Sequence, residues 1–190
     1  MCSAQQTAQP LTKMPKFNVD TSSEKVIDNF RSRVAGRIFL ITGAGAQGLG
    51  GSTALYLSKA GPAHIILVSR TCDLSDQDSV RAAAATIDKA VQKIDVIINN
   101  AGVMAIRNYS TDKHGIELQL SANHVGHFLL TNLLVPKLVA AGDDSRVVNL
   151  SSHGHRISPF RLDHYNFSEG KEYERFSAYG QSNLGIVRSD

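Results

Sequence analysis

The 190 residues suit one domain of ordinary size, able to bury roughly 70% of the surface its unfolded chain exposes. With 42% hydrophobic and 19% charged residues, a net charge of +3 and basic residues scattered rather than clustered, the composition excludes a disordered chain and offers no patch for nucleic acid. Two cysteines, Cys2 and Cys72, give neither a disulfide framework nor a metal-ligand spacing, and they fit a reducing compartment. The N-terminus has no apolar h-region, and the longest apolar segment, "HFLLTNLLVPKLVAA", is interrupted by Thr131, Asn132, Pro136 and Lys137, so neither a secretory signal nor a membrane span is expected. These features point to a soluble, cytoplasmic protein with no membrane partner and no metal site.

The chain opens with a polar arm of about twenty residues. Thr21 and Glu24 then make a candidate capping box, with Val26, Ile27, Phe30 and Val34 at helical spacing behind it. Residues 1–33 thus read as an arm and a short lead-in helix, and residues 34–190 as the domain proper. "RIFLIT" (37–42) is a β-branched apolar run bounded by glycines, hence a strand. A glycine-rich turn follows, and "STALYLSKAG" reads as a helix closed by Gly61 and Pro62. "HIILVS" (64–69) is a second strand, expected to be buried. A helix carries Val80, Ala84, Ile87, Val91 and Ile94 on one face. "DVIINNAG" is a third strand. A long helix over 116–141 aligns Leu118, Val125, Leu129 and Leu133. "RVVNLSS" is a fourth strand, and a last helix starts near Ser177. Strands that alternate with helices and are almost continuously apolar predict an α/β fold. It should be a doubly wound parallel sheet covered on both faces.

Gly43, Gly45 and Gly48 spell G-x-G-x-x-G directly after a strand and directly before a helix. Such a turn lets backbone approach a pyrophosphate closely, and the free N–H groups of the following helix favour an anion. Read more plainly, the loop would only join strand to helix, but spacing and context both match the binding role. At the end of the second strand stands Arg70, where NAD-binding units usually place Asp or Glu. A guanidinium there can pair with a 2′-phosphate, which points to NADP and leaves NAD as the second choice. A solvated arginine at a strand end is the bland reading.

Four ordered motifs resemble the short-chain dehydrogenase/reductase family, in its retinol-dehydrogenase-like branch of fungal type. "TGAGAQGLG" resembles the family's T-G-x-x-x-G-x-G turn with one extra residue, and "NNAG" (99–102) resembles its second signature. "SANHVGHFLLTNLL" contains Asn123, "RVVNLSS" ends in Ser152, and "SAYGQSN" contains Tyr179. The segment "SPFRLDHYNF…GKEY" is similar to an insert of that branch. Over about residues 34–187 the resemblance implies a Rossmann domain binding NADP. Thr42, Gly43, Gly48, Leu49, Gly50, Arg70, Asp73, Asn100, Ala101 and Gly102 would lie around the cofactor, with Asp73 near the adenine amino group. It implies Asn123, Ser152 and Tyr179 as the catalytic residues. Taken singly, Ser152 is an ordinary turn serine and Tyr179 a surface tyrosine; order and spacing along one chain reverse that. His153 and His155 beside Ser152 suggest a Ser–His hydrolase, but no G-x-S-x-G elbow surrounds the serine.

Three departures stand out. Only Thr71 and Cys72 separate Arg70 from Asp73, too little chain for a crossover helix and strand. The family's third strand therefore has no counterpart, and the sheet order in the family's numbering should be 2-1-4-5. The lysine of Y-x-x-x-K is replaced by Asn183. The chain stops at Asp190, so the family's last strands and substrate loop have no counterpart; the protein looks truncated, and the fourth strand should face solvent. The implied activity is hydride transfer between NADP(H) and a small carbonyl or alcohol, with a place in secondary metabolism by family analogy alone. The alternative is a catalytically impaired NADP-binding protein, or a truncated gene product. A homo-oligomer remains open.

Overall fold

A computed structural model describes residues 17–69 and 71–187. Most of the expected N-terminal arm, and Arg70, lie outside the described residues. The first helix, α1, spans Ser23–Val34. Its N-cap is Ser22, whose hydroxyl accepts from the Lys25 N–H at 3.3 Å. The capping box expected at Thr21 and Glu24 does not form, because the Thr21 hydroxyl is taken by the Asn18 N–H at 2.9 Å. Ile27 and Val34 of α1 are buried with Phe39 and Ala60, so the lead-in helix is packed onto the domain rather than standing apart from it.

The elements β1 (Ile38–Thr42), α2 (Leu49–Ser58), β2 (His64–Val68), α3 (Gln77–Ala90) and β3 (Val96–Asn99) follow in order. Then come a single α-turn, α4 (Leu118–Leu120), a π-helical turn (Ser121–Val125), and α5 (Gly126–Ala141). The strand β4 (Arg146–Asn149), a 3₁₀ turn (His153–Arg156) and α6 (Arg175–Val187) complete the described chain. All four strands are parallel, in the order β2-β1-β3-β4. This is the expected order with the third crossover absent: α3 follows β2 directly. Asp76 caps α3 by accepting from the Asp78 N–H at 3.0 Å.

Alternate residues of β1 serve two cores. Leu40 meets Val80, Ala84, Ile87, Leu130 and Leu134 from α3 and α5 on one face. Phe39 meets α1 and α2 on the other. At the strand's start, the Ile38 N–H donates to the Asp95 carboxylate at 2.8 Å, and Lys93 pairs with that carboxylate at 2.9 Å. Coverage on both faces, expected of the sheet apart from the open edge at the fourth strand, holds fully for β1 alone. Leu67 of the edge strand β2 is 52% exposed, and every residue of β4 is exposed, as the open edge predicted. Four strands leave two edges, and the helices concentrate over β1 and β3.

The long helix also departs from its expected face. The buried stripe is Asn123, His127, Leu130, Leu134 and Leu138, not Leu118, Val125, Leu129 and Leu133. The segment is apolar almost all round, so periodicity did not select a side, and the true inward face carries two polar residues. Its start is set by Glu117, whose carboxylate accepts from the Gln119 and Leu120 N–H groups at 3.0 and 2.8 Å. Burial pushes the Glu117 pKa up. Among the described residues no helix is long and apolar enough to cross a membrane.

Candidate active site

The carboxyl ends of β1 and β3 open into a cleft, where parallel α/β sheets bind ligands. Gly43 has φ +68°, and a Cβ there would lie 2.6 Å from the Ala101 Cα. A Cβ on Gly50 would lie 2.7 Å from the Gly43 carbonyl and collide with the Asn100 amide. The protein itself therefore demands these two glycines. Gly45 is different: its φ is not in the left-handed region, and nothing lies within 4 Å of a Cβ built on it. Its bareness leaves open space above the turn, next to Gly43, Ala44, Val68, Ser69 and Leu74. Behind the turn, α2 starts at Gly48 with no side-chain cap and no acidic residue in its first turn. An uncapped helix N-terminus facing bare backbone fits the pyrophosphate of a dinucleotide.

Thr42 ties this turn to the rest of the cleft. Its hydroxyl oxygen accepts from the N–H groups of Asn100 and Ala101 at 2.9 and 3.0 Å. The Asn100 side chain donates back to the Thr42 carbonyl at 2.8 Å and to the Gly43 carbonyl at 3.2 Å. Across the cleft, Asn123 sits in the π-turn. Its side chain accepts from the Val103 N–H at 2.8 Å and donates to the Val103 carbonyl and the Ser182 hydroxyl, both at 2.9 Å. It is 3% exposed, so the loop after "NNAG" and α6 are both pinned to one buried amide.

At the far end, Leu49, Asn100, Gly102, Asn123, Ser151 and Tyr179 border one pocket, with Asn183 beside them. The helix α6 brings Tyr179 there because Glu174 caps it, accepting from the Phe176 and Ser177 N–H groups at 3.1 and 2.7 Å. Ser152 approaches from the 3₁₀ turn, its hydroxyl accepting from the Gly154 N–H at 3.1 Å. Gly154 touches both partners: a Cβ on it would lie 2.7 Å from the Tyr179 ring and 3.4 Å from the Ser152 hydroxyl. Asn183 is buried and turned onto its own helix, its amide donating to the Tyr179 carbonyl at 2.8 Å.

The structure thus brings Leu49, Asn100, Ala101, Gly102, Asn123 and Tyr179 to one pocket together with Ser151, while Ser152 does not border it and meets Tyr179 across Gly154. Thr42 and Gly43 border the space at the glycine turn, Gly50 packs against Gly43 and Asn100, and Gly48 is the N-cap of α2. Asp73 is placed differently. Its carboxylate accepts from the N–H and hydroxyl of Ser75 at 2.9 and 2.7 Å, and it borders Gly102 and Val103 rather than the space above the glycine turn. His127, not singled out in the sequence, lies at the heart of the network, 2.8 Å from the Thr42 hydroxyl. Its signal was faint, a lone histidine in an apolar helix. Among the described residues no group of three His, Cys, Asp or Glu side chains is placed to hold a metal ion.

Residues 68–168 match the short chain dehydrogenase family. The chain is 33% identical to the oxidoreductase fscI of Fusarium equiseti, over 80% of this chain and 69% of that one. It is 36% identical to human retinol dehydrogenase 13, over 83% of this chain and 53% of that protein, so it spans about half of that relative's length. In fold it is similar to a putative short chain dehydrogenase from Escherichia coli CFT073 solved with NADPH. The TM-score is 0.60 at 19% identity, over 82% of this chain and 69% of that one.

Proposed function

The chain belongs to the short-chain dehydrogenase family, on its retinol-dehydrogenase-like branch, and from this we propose that it transfers hydride between NADP(H) and a small carbonyl or alcohol. The observation that carries the reading is a bare glycine turn before an uncapped helix N-terminus, with Leu49, the first residue of that helix, bordering the same pocket as Asn100 and Tyr179. A bound nicotinamide dinucleotide supplies the hydride. The chain's residues do the rest. The turn from Gly43 to Gly50 holds the pyrophosphate against α2. Asn100, Ala101 and Gly102 line the path from that turn to Tyr179. Ser152 holds the substrate oxygen. Tyr179 gives that oxygen its proton in reduction and takes it in oxidation.

Arg70, two residues beyond β2 in the sequence, supports NADP over NAD, since a guanidinium can make a charge-assisted pair with a 2′-phosphate where NAD-binding units place an acidic residue to accept from the ribose hydroxyl. Fluorescence titration with NADPH and NADH tests this. The parent should prefer NADPH. Arg70→Ala should weaken NADPH binding roughly tenfold to a hundredfold, the worth of a charge-assisted contact, while leaving NADH binding almost unchanged. Equal affinity for both cofactors, unaltered by the substitution, contradicts the assignment.

A further inference from the structure

The imidazole of His127 is 5% exposed and makes two contacts. Its Nε2 lies 2.8 Å from the Thr42 hydroxyl, and its Nδ1 lies 2.9 Å from the Asn123 carbonyl. The two contacts fix its protons independently. A threonine hydroxyl has two lone pairs and one proton. Both lone pairs of Thr42 already accept, from the Asn100 and Ala101 N–H groups, so the proton must go to His127 and Nε2 must be bare. At the other side the Asn123 carbonyl can only accept, so Nδ1 must carry the hydrogen. Both ends require the same neutral tautomer. Burial lowers the pKa of His127, which agrees with a neutral ring.

We propose that His127 is the positioning residue of the cleft, a neutral Nδ1–H imidazole that locks the end of β1 at Thr42 to the kinked turn at Asn123. The lock joins the two halves of the site through one ring. Thr42 sets the backbone of Asn100 and Ala101 on the cofactor side. Asn123 sets Val103 and, through Ser182, the helix that carries Tyr179. The Asn123 carbonyl lies in the π-turn, where the regular helical ladder is interrupted, and the ring supplies it with a donor. This role rests on reading the cleft as a dinucleotide site, although the tautomer itself does not.

Long-range proton–nitrogen NMR on the ¹⁵N-labelled full chain reads the ring directly. The expected result is a protonated Nδ1 and a bare Nε2 for His127, the reverse of the tautomer that free imidazole side chains favour. A protonated Nε2, in either the neutral ring or the imidazolium, overturns the proposal. NADPH titration of variants reads the role. His127→Leu removes the acceptor of the Thr42 hydroxyl proton and the ring donor at the Asn123 carbonyl, and should raise the Kd roughly tenfold. His127→Gln, whose side-chain oxygen can accept from Thr42, should recover most of that loss. A leucine variant that binds like the parent overturns the positioning role. If the leucine variant does not fold, the glutamine variant and the ring signature decide. A folded parent that does not bind NADPH counts against the proposed function, and the ring signature then decides the tautomer alone.

Discussion

Asn183→Lys is expected to raise the rate of NADPH-dependent carbonyl reduction by up to about two orders of magnitude. The position is one helical turn beyond Tyr179, on the same face of α6. In the family, a lysine there helps the tyrosine ionise. A unit charge about 4.5 Å away at an effective dielectric constant of about 20 contributes roughly 3–4 kcal/mol, an upper-end value. Each 1.36 kcal/mol is a factor of ten in rate. Asn183 brings no charge, and its amide is spent on the Tyr179 carbonyl at 2.8 Å. Oxidation, which needs the phenolate, should therefore suffer more from the missing lysine than reduction, which needs only the protonated phenol. Steady-state kinetics in both directions checks this: lysine should raise both rates, oxidation more. Ordinary family rates in the parent, with no gain from lysine, contradict this account of the site.

The glycine turn should respond in two opposite ways. At Gly43 and Gly50 the protein's own atoms fill the space of a Cβ, so Gly43→Ala and Gly50→Ala should destabilise the fold by on the order of 2–4 kcal/mol, through overpacking and, at Gly43, a left-handed backbone. At Gly45 nothing lies within 4 Å of the added atom. Gly45→Val should leave stability within about 0.5 kcal/mol of the parent, as exposed substitutions usually do. It should nevertheless weaken NADPH binding by about two orders of magnitude, because the space it fills is the one assigned to the pyrophosphate. Thermal melts and fluorescence titrations on the same samples separate the two effects. Undiminished binding by Gly45→Val would move the cofactor away from the turn.

Much of this was legible before the structure, and the exceptions have physical causes. The run 38–42 reads as a strand because four apolar residues stand in a row before a β-branched threonine, and the structure buries all five. The short link from Arg70 to Asp73 was enough to remove a strand from the sheet, since chain length alone forbids the crossover. Thr42, Asn100, Asn123 and Tyr179 were singled out through resemblance to the family's ordered motifs. The inward face of α5 was not: almost every side of that helix is apolar, and the two positions that matter, Asn123 and His127, are polar and buried by hydrogen bonds that spacing does not reveal. The bonds of the Asp73 carboxylate to Ser75 were not legible either, since side-chain geometry makes them. Position 183 was legible as a departure, whereas the turn of its amide onto the helix backbone was not.

Calorimetric titration of the folded chain with NADPH tests the central claim most directly, because it asks only whether the cleft from Gly43 to Tyr179 holds a dinucleotide. The account predicts saturable binding of one NADPH per chain, with NADP⁺ competing for the same site. A chain that melts cooperatively, yet shows no heat of binding with NADPH or NADH in large excess, would contradict it.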